Sequence, residues 1–215
     1  MQVLDMMDAA DHLKNGLDLG KCTALRELNL QSGTTGSTGW WLNIGSCRQL
    51  RKVNLRNQQQ AKTGGSTSTE LDFSNQTKLE YLDARGTQPK SISFAKGAPV
   101  TTALLPGTLN ILKLEYLRKL TVNGLSLESY SGIKTLIVDG CPNINWETLL
   151  LRCTGVERLR VTGISKTDDG TWLKRFANMG GVDAEGNATE TCALVGTVQL
   201  TKYVEEEEYG KLCAH

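Results

Sequence analysis

Cysteines, histidines and a tryptophan pair are the residues of this chain with the most distinctive chemistry. Of six cysteines, Cys22, Cys47 and Cys153 fall at the same place in a recurring apolar pattern. A small thiol there faces an interior, so they read as buried, reduced thiols. Cys141, Cys192 and Cys213 have no paired spacing, no C-x-x-C occurs, and the only histidines are His12 and His215. No zinc site follows, and no metal or cofactor is expected. Asp168-Asp169-Gly170 and Asp183-Ala184-Glu185-Gly186-Asn187 cluster oxygens without the full spacing of a calcium loop, and read as turns. Trp40-Trp41 closes a Gly/Ser/Thr-rich loop. Such a pair either stacks on sugar rings or sends one indole inward, so both residues are glycan-contact candidates. There is no nucleophile–histidine arrangement, no phosphate-cradling loop and no carboxylate pair at a working distance, which argues against an enzyme.

The element that must position these residues is Leu17–Leu30, LDLGKCTALRELNL. Counting from Leu17, apolar residues fall at 0, +2, +8, +11 and +13, with cysteine at +5. Neither a helical nor a strand period fits, but one coil of a solenoid does. The pattern returns with last apolar positions 30, 55, 84, 105, 122, 138 and 161, predicting about seven irregular coils. Gln76 takes the +5 place in the third coil, where its amide would bond a backbone group. A short helix is expected near Trp146–Arg152.

Four segments, LDLGKCTALRELNL, LNIGSCRQLRKVNL, LDFSNQTKLEYLDA and LEYLRKLTVNG, resemble leucine-rich repeat proteins over residues 17–163. The family's asparagine near +16 is not kept, and its role passes to Cys or Gln at +5. The resemblance implies an α/β, irregular leucine-rich repeat solenoid with a parallel sheet on its concave face. The segments LLPGTLNILKL and ALVGTVQLTKYVEEEEYGKLCAH also resemble leucine-rich domains of gut bacteriophage structural proteins. That implies a virion component of the tail or host-contact apparatus. The same repeat style occurs in surface proteins of gut bacteria, which implies the alternative of an adhesin.

The flanks read as caps, since end coils have no neighbour to cover them. Residues 1–16 would form a helical N-terminal cap, with Val3, Leu4, Met7 and Leu13 at helical spacing and Asn15-Gly16 as its stop. Residues 164–215 would form an α/β C-terminal cap. It would contain a helix over 171–181, a β-run over 193–200 and a last helix N-capped by Thr201, with Glu205–Glu208 as its solvated face.

Within each coil the strand covers +10 to +14, so +10, +12 and +14 point outward. The candidate binding set on that concave face is Asn29, Asn54, Arg56, Tyr81, Asp83, Arg85, Leu104, Lys119, Ile137, Asp139, Arg158 and Arg160. Arg56, Tyr81, Asp83 and Arg85 form its sharpest cluster, Arg and Tyr being favoured at hot spots. Leu104 and Ile137 are expected to be exposed apolar residues.

A net charge of +1 over 215 residues argues against a generic nucleic-acid binder. No apolar run is long enough to span a membrane. The start MQVLDMMDAADHL carries acids where a signal peptide needs bases, so no signal peptide is read and the compartment stays open: the virion, or a bacterial cell surface. Asn75-Gln76-Thr77 and Asn187-Ala188-Thr189 match the glycosylation triplet, which carries little weight without that signal. The reading is a non-enzymatic interaction module whose partner is another protein or a surface glycan, alongside neighbouring domains of its own assembly. The alternatives are a purely structural spacer and, third, a glycan-active enzyme working through Trp40-Trp41.

Overall fold

Two inward apolar pairs per coil, each with one outward residue between them, build the molecule. The structure is a computed structural model that describes residues 1–8, 16–32, 41–58, 62–63, 69–145, 148–149, 152–153, 155–156, 158–164 and 198–202. On one side run β1 (Val3–Asp5), β3 (Glu27–Asn29), β5 (Lys52–Asn54), β8 (Tyr81–Asp83), β10 (Thr102–Leu105) and β12 (Leu125–Leu127). They pair in that order as one parallel six-stranded sheet. On the return side, β2 (Leu17–Asp18), β4 (Trp41–Asn43) and β6 (Lys62–Thr63) form a three-stranded sheet. A second six-stranded sheet there contains β7 (Glu70–Phe73), β9 (Ser91–Phe94), β11 (Ile111–Glu115), β13 (Thr135–Asp139), β14 (Arg158–Ile164) and β15 (Val198–Lys202). The chain is a parallel β-solenoid of about five turns.

Period-two alternation drives both sides. Leu28 and Leu30, Val53 and Leu55, and Leu82 and Ala84 point into the core from the first sheet. Leu42 and Ile44, Leu71 and Phe73, and Leu112 and Leu114 meet them from the return side. All belong to one contiguous apolar cluster, the main source of stability for coils this short.

A repeated tight turn joins the two sides. The N–H of Leu25 donates to the Cys22 carbonyl at 3.0 Å, Leu50 to Cys47 at 3.1 Å, Leu79 to Gln76 at 3.1 Å, Leu120 to Leu117 at 3.2 Å and Ile144 to Cys141 at 3.1 Å. The +5 residue then locks the coil behind it. Cys47 Sγ donates to the Leu19 carbonyl at 3.2 Å, Gln76 Nε2 to Ile44 at 2.8 Å and Cys141 Sγ to Leu114 at 3.5 Å. Gln58 does the same at the opposite turn, its Nε2 bonding the Leu30 carbonyl at 2.7 Å. These are the bonds expected of the +5 residue, and Cys141, which the sequence reading did not assign to that position, also occupies it.

Among the described residues, the α/β class with a helical N-terminal cap gives way to a strand-built coil with little helix. Residues expected to start the helical cap form β1, with Val3 opposite Glu27 and Asp5 opposite Asn29. The edge of β3 offers unpaired N–H and C=O groups, and satisfying them outweighs a short helical spacing of apolar residues. Residues 9–15 of that cap lie outside the described residues. At the other end Thr201 is not a helix N-cap but sits in β15, opposite Thr162. The strand over Val198–Lys202 overlaps the expected β-run, whereas the expected helices over 171–181 and beyond residue 202 lie outside the described residues. Helix does appear near Trp146–Arg152, at Thr148, Leu149 and Arg152. Asn145 caps it, Oδ1 accepting from the Thr148 N–H at 2.8 Å.

The largest departure lies at Leu120. The repeat places it at the entry to a strand continuing through Val122. Leu120 instead closes the turn, a further turn forms with Gly124 N–H on the Thr121 carbonyl at 3.0 Å, and Leu125 and Leu127 supply the inward pair. A Cβ on Gly124 would lie 2.0 Å from the Thr101 carbonyl oxygen, so the extra turn depends on glycine. From here the repeat pattern runs one side out of step, and the segments at 135–139 and 158–162 belong to the return-side sheet.

Candidate binding surface

Parallel pairing in register sorts the outward side chains of the first sheet into rows across the coils. The first row is Val3, Glu27, Lys52, Tyr81 and Thr102. Glu27 and Lys52 pair across it at 3.4 Å. The second row is Asp5, Asn29, Asn54, Asp83, Leu104 and Ser126.

The second row is largely structural. Asp5 accepts from the N–H of Met7 at 3.1 Å, Asn29 from Gln31 at 3.2 Å, Asn54 from Arg56 at 3.1 Å and Asp83 from Arg85 at 3.1 Å. Each short side chain turns the chain out of its strand by bonding the backbone two residues on. Asn29 Nδ2 also donates to Asp5 at 3.0 Å, and Asn54 Nδ2 to Gln31 Oε1 at 3.0 Å. Asn29, Asn54 and Asp83 were candidates for ligand contact, and these bonds occupy much of their capacity.

The sharpest sequence cluster is assembled, with unequal members. Arg85 grips Asp83 through two bonds, Nε to Oδ1 at 3.0 Å and Nη2 to Oδ2 at 2.6 Å. Asp83 is only 3% exposed. That hydrogen bond, before any other influence, raises the Arg85 pKa. Arg56 is exposed and pairs with no carboxylate among the described residues. Tyr81 is half-buried beside it. Burial first, then Asp83, raises the Tyr81 pKa, while Arg85 and Arg56 pull it down. Its phenol therefore stays protonated at neutral pH, free to donate and accept.

The other candidates fall elsewhere. Lys119 is exposed on a turn rather than a strand. Ile137, Asp139, Arg158 and Arg160 lie on the return-side sheet, a different surface from Tyr81. Leu104 and Ile137 are half-buried rather than fully exposed. On the return side Arg160 donates to Glu115 at 2.9 Å and stands 4.0 Å from Asp139, while Lys113 pairs with Glu115 at 3.0 Å. Trp41 is half-buried on β4, its Nε1 only 2.6 Å from where a Cβ on Gly16 would sit, so its indole lies against that backbone. Trp40 lies outside the described residues, as do the acidic loops at 168–170 and 183–187.

Two residues escaped the sequence reading. Glu115 is the hub of the return-side ion network. Glu128 accepts the N–H of Gly86 at 3.1 Å and of Gly107 at 3.4 Å, tying three coils together. Contacts across 42 residues leave no local spacing to read.

Cys22, Cys47, Cys141 and Cys153 are free thiols. Burial raises Cys47 and Cys141 to about 11 and Cys153 to about 12, so these three are protonated and unreactive. Among the described residues no group of three His, Cys, Asp or Glu side chains is placed to hold a metal, and no helix is long and apolar enough to cross a membrane. Comparison with protein-family models, with curated proteins and with solved structures gives no match.

Proposed function

We propose that this chain is a non-enzymatic interaction module whose partner, another protein or a surface glycan, docks on the outward face of the first sheet. The observation that carries this is the contrast between neighbours on that face. Asn29, Asn54, Asp83 and Arg85 are used within the solenoid, whereas Arg56 projects a guanidinium with no carboxylate partner among the described residues, beside the protonated phenol of Tyr81. Such a pair suits carboxylates, hydroxyls and carbonyls alike. The leucine-rich repeat resemblance supports a binding solenoid. The resemblance of LLPGTLNILKL and the C-terminal segment supports reading it as part of a larger bacteriophage virion or tail protein. A bacterial surface adhesin would use the same face.

A second reading, a structural spacer, is favoured by how many polar groups bond the adjacent coil. Probing immobilised surface glycans and bacterial surface proteins with the chain and with its Arg56→Glu variant separates the two. Retention that the variant loses supports the module. No retention anywhere supports the spacer, and turnover of a retained glycan would restore the enzyme reading.

A further inference from the structure

The five turns that lead from the return side into β3, β5, β8, β10 and β12 stack into one ridge. They are residues 19–26, 44–51, 74–80, 95–101 and 116–124. Backbone bonds align them: the N–H of Arg51 donates to the Arg26 carbonyl at 2.8 Å, Glu80 to Arg51 at 2.8 Å and Thr101 to Glu80 at 2.9 Å. Adjacent coils lie ~4.8 Å apart, so the ridge runs for about 19 Å along the solenoid axis.

Its charge is one-sided although the chain is nearly neutral. Glu80 is the one acid on these five turns, and every turn carries at least one cation. Three cations are engaged: Arg51 pairs with Glu80, Lys78 donates to Gln49 at 2.6 Å, and Lys96 lies over the Tyr116 ring at 4.0 Å. The other five, Lys21, Arg26, Arg48, Arg118 and Lys119, are exposed and pair with no carboxylate among the described residues. Acids between them would have cancelled the field. With Glu80 paired to Arg51, and with Asp18, Glu27 and Glu115 just outside the turns, the ridge itself keeps an excess of positive charge.

We propose that this ridge binds a linear acidic polysaccharide laid along the solenoid axis. A pyranose ring is about as long as one coil spacing, so a short run of rings spans the ridge and the acidic groups on its facing side reach the exposed cations of the first, second and fifth turns. Thr23, Ser46, Ser74 and Thr77 stand among the cations as hydroxyl partners for the sugar. Single-stranded nucleic acids add base stacking on aromatic platforms to their phosphate contacts, and this ridge exposes no such platform. Tyr116, the one aromatic on these turns, is half-buried and covered by Lys96. The ridge is a surface separate from the Arg56 and Tyr81 face and does not rest on that proposal.

The test titrates the full chain with polygalacturonate at low and high salt, with neutral dextran and single-stranded DNA as comparisons. Polygalacturonate binds, dextran does not, and affinity falls steeply with salt. Arg48→Glu with Arg118→Glu weakens binding by about tenfold or more, both side chains being exposed and making no structural bond among the described residues. Arg56→Glu leaves it unchanged, so failure of the ridge and failure of the sheet face are distinguishable. Absent binding, an unaffected double variant, or tighter binding of single-stranded DNA would overturn the proposal, the last in favour of a nucleic acid.

Discussion

Gln76 Nε2 donates to the carbonyl oxygen of Ile44, one coil behind it, at 2.8 Å. It holds the turn position that Cys47 holds in the preceding coil, and it is 1% exposed. Removing it orphans a buried carbonyl. Gln76→Ala should cost about 1–3 kcal/mol, read as a lower urea midpoint with an unchanged slope. Gln76→Cys should recover part of that loss, because a thiol makes the same bond elsewhere in this column.

The Asp83–Arg85 pair makes a second prediction. Arg85→Met leaves a carboxylate with only 4% of its side chain exposed facing no guanidinium. Because Arg85 is itself about a third exposed, the cost should be about 2 kcal/mol rather than that of a fully buried pair. Adding Asp83→Asn removes the stranded charge while keeping an oxygen for the Arg85 N–H. The double variant should be more stable than Arg85→Met alone, as chemical denaturation of the full cycle would show.

Glycines separate strain from tolerance. Gly124→Ala forces a methyl to within 2.0 Å of the Thr101 carbonyl oxygen, a backbone atom that cannot rotate away. It should lower stability by about 3 kcal/mol. Gly45→Ala meets nothing nearer than Asn43 Oδ1 at 3.7 Å and should change stability by less than about 0.5 kcal/mol. Thermal melting of both variants checks the contrast.

The buried thiols predict an alkaline limit. Their ordinary pKa of 9.0 rises to about 11 for Cys47 and Cys141 and about 12 for Cys153 in the fold. A raised folded pKa means the folded state holds the proton more tightly. This contribution is complete below pH 9 and is lost as pH rises through 11 to 12. Melting temperature should fall across that window, and less so in Cys47→Ala once compared with its own value at pH 7. Alkylation mapped by mass spectrometry at pH 8 should modify the partly exposed Cys22 well before Cys47, Cys141 and Cys153.

Much of the solenoid was legible because its repeats are local. The pairs Leu17 and Leu19, Leu28 and Leu30, and the +5 residues Cys47 and Gln76 fall within a single coil, so spacing reveals them. The slip at Leu120 was not legible. Leu117, Leu120 and Val122 fit the strand entry as well as the turn, and only the pairing of Leu125 with Ala103 decides between them. That single slip moved Ile137, Asp139 and Arg160 to the wrong surface. The N-terminal strand was hidden for a related reason, since β1 exists through its pairing with β3 rather than through its own sequence. Asn29 and Asn54 lie on the outward side as alternation expects, whereas Asp83, expected to be exposed, is buried under Arg85; alternation says nothing about whether a side chain is already bonded within the fold.

The measurement that bears most directly on the proposed function is saturable binding of the labelled chain to intact gut bacteria. Wild type is compared with a variant carrying Arg56→Glu and Tyr81→Ala, both checked for an unchanged fold by circular dichroism. The account predicts saturable binding by wild type and a loss of about tenfold or more in the variant, as expected when two central contacts are removed. Equal binding by the two proteins, or no saturable binding by wild type, would contradict it.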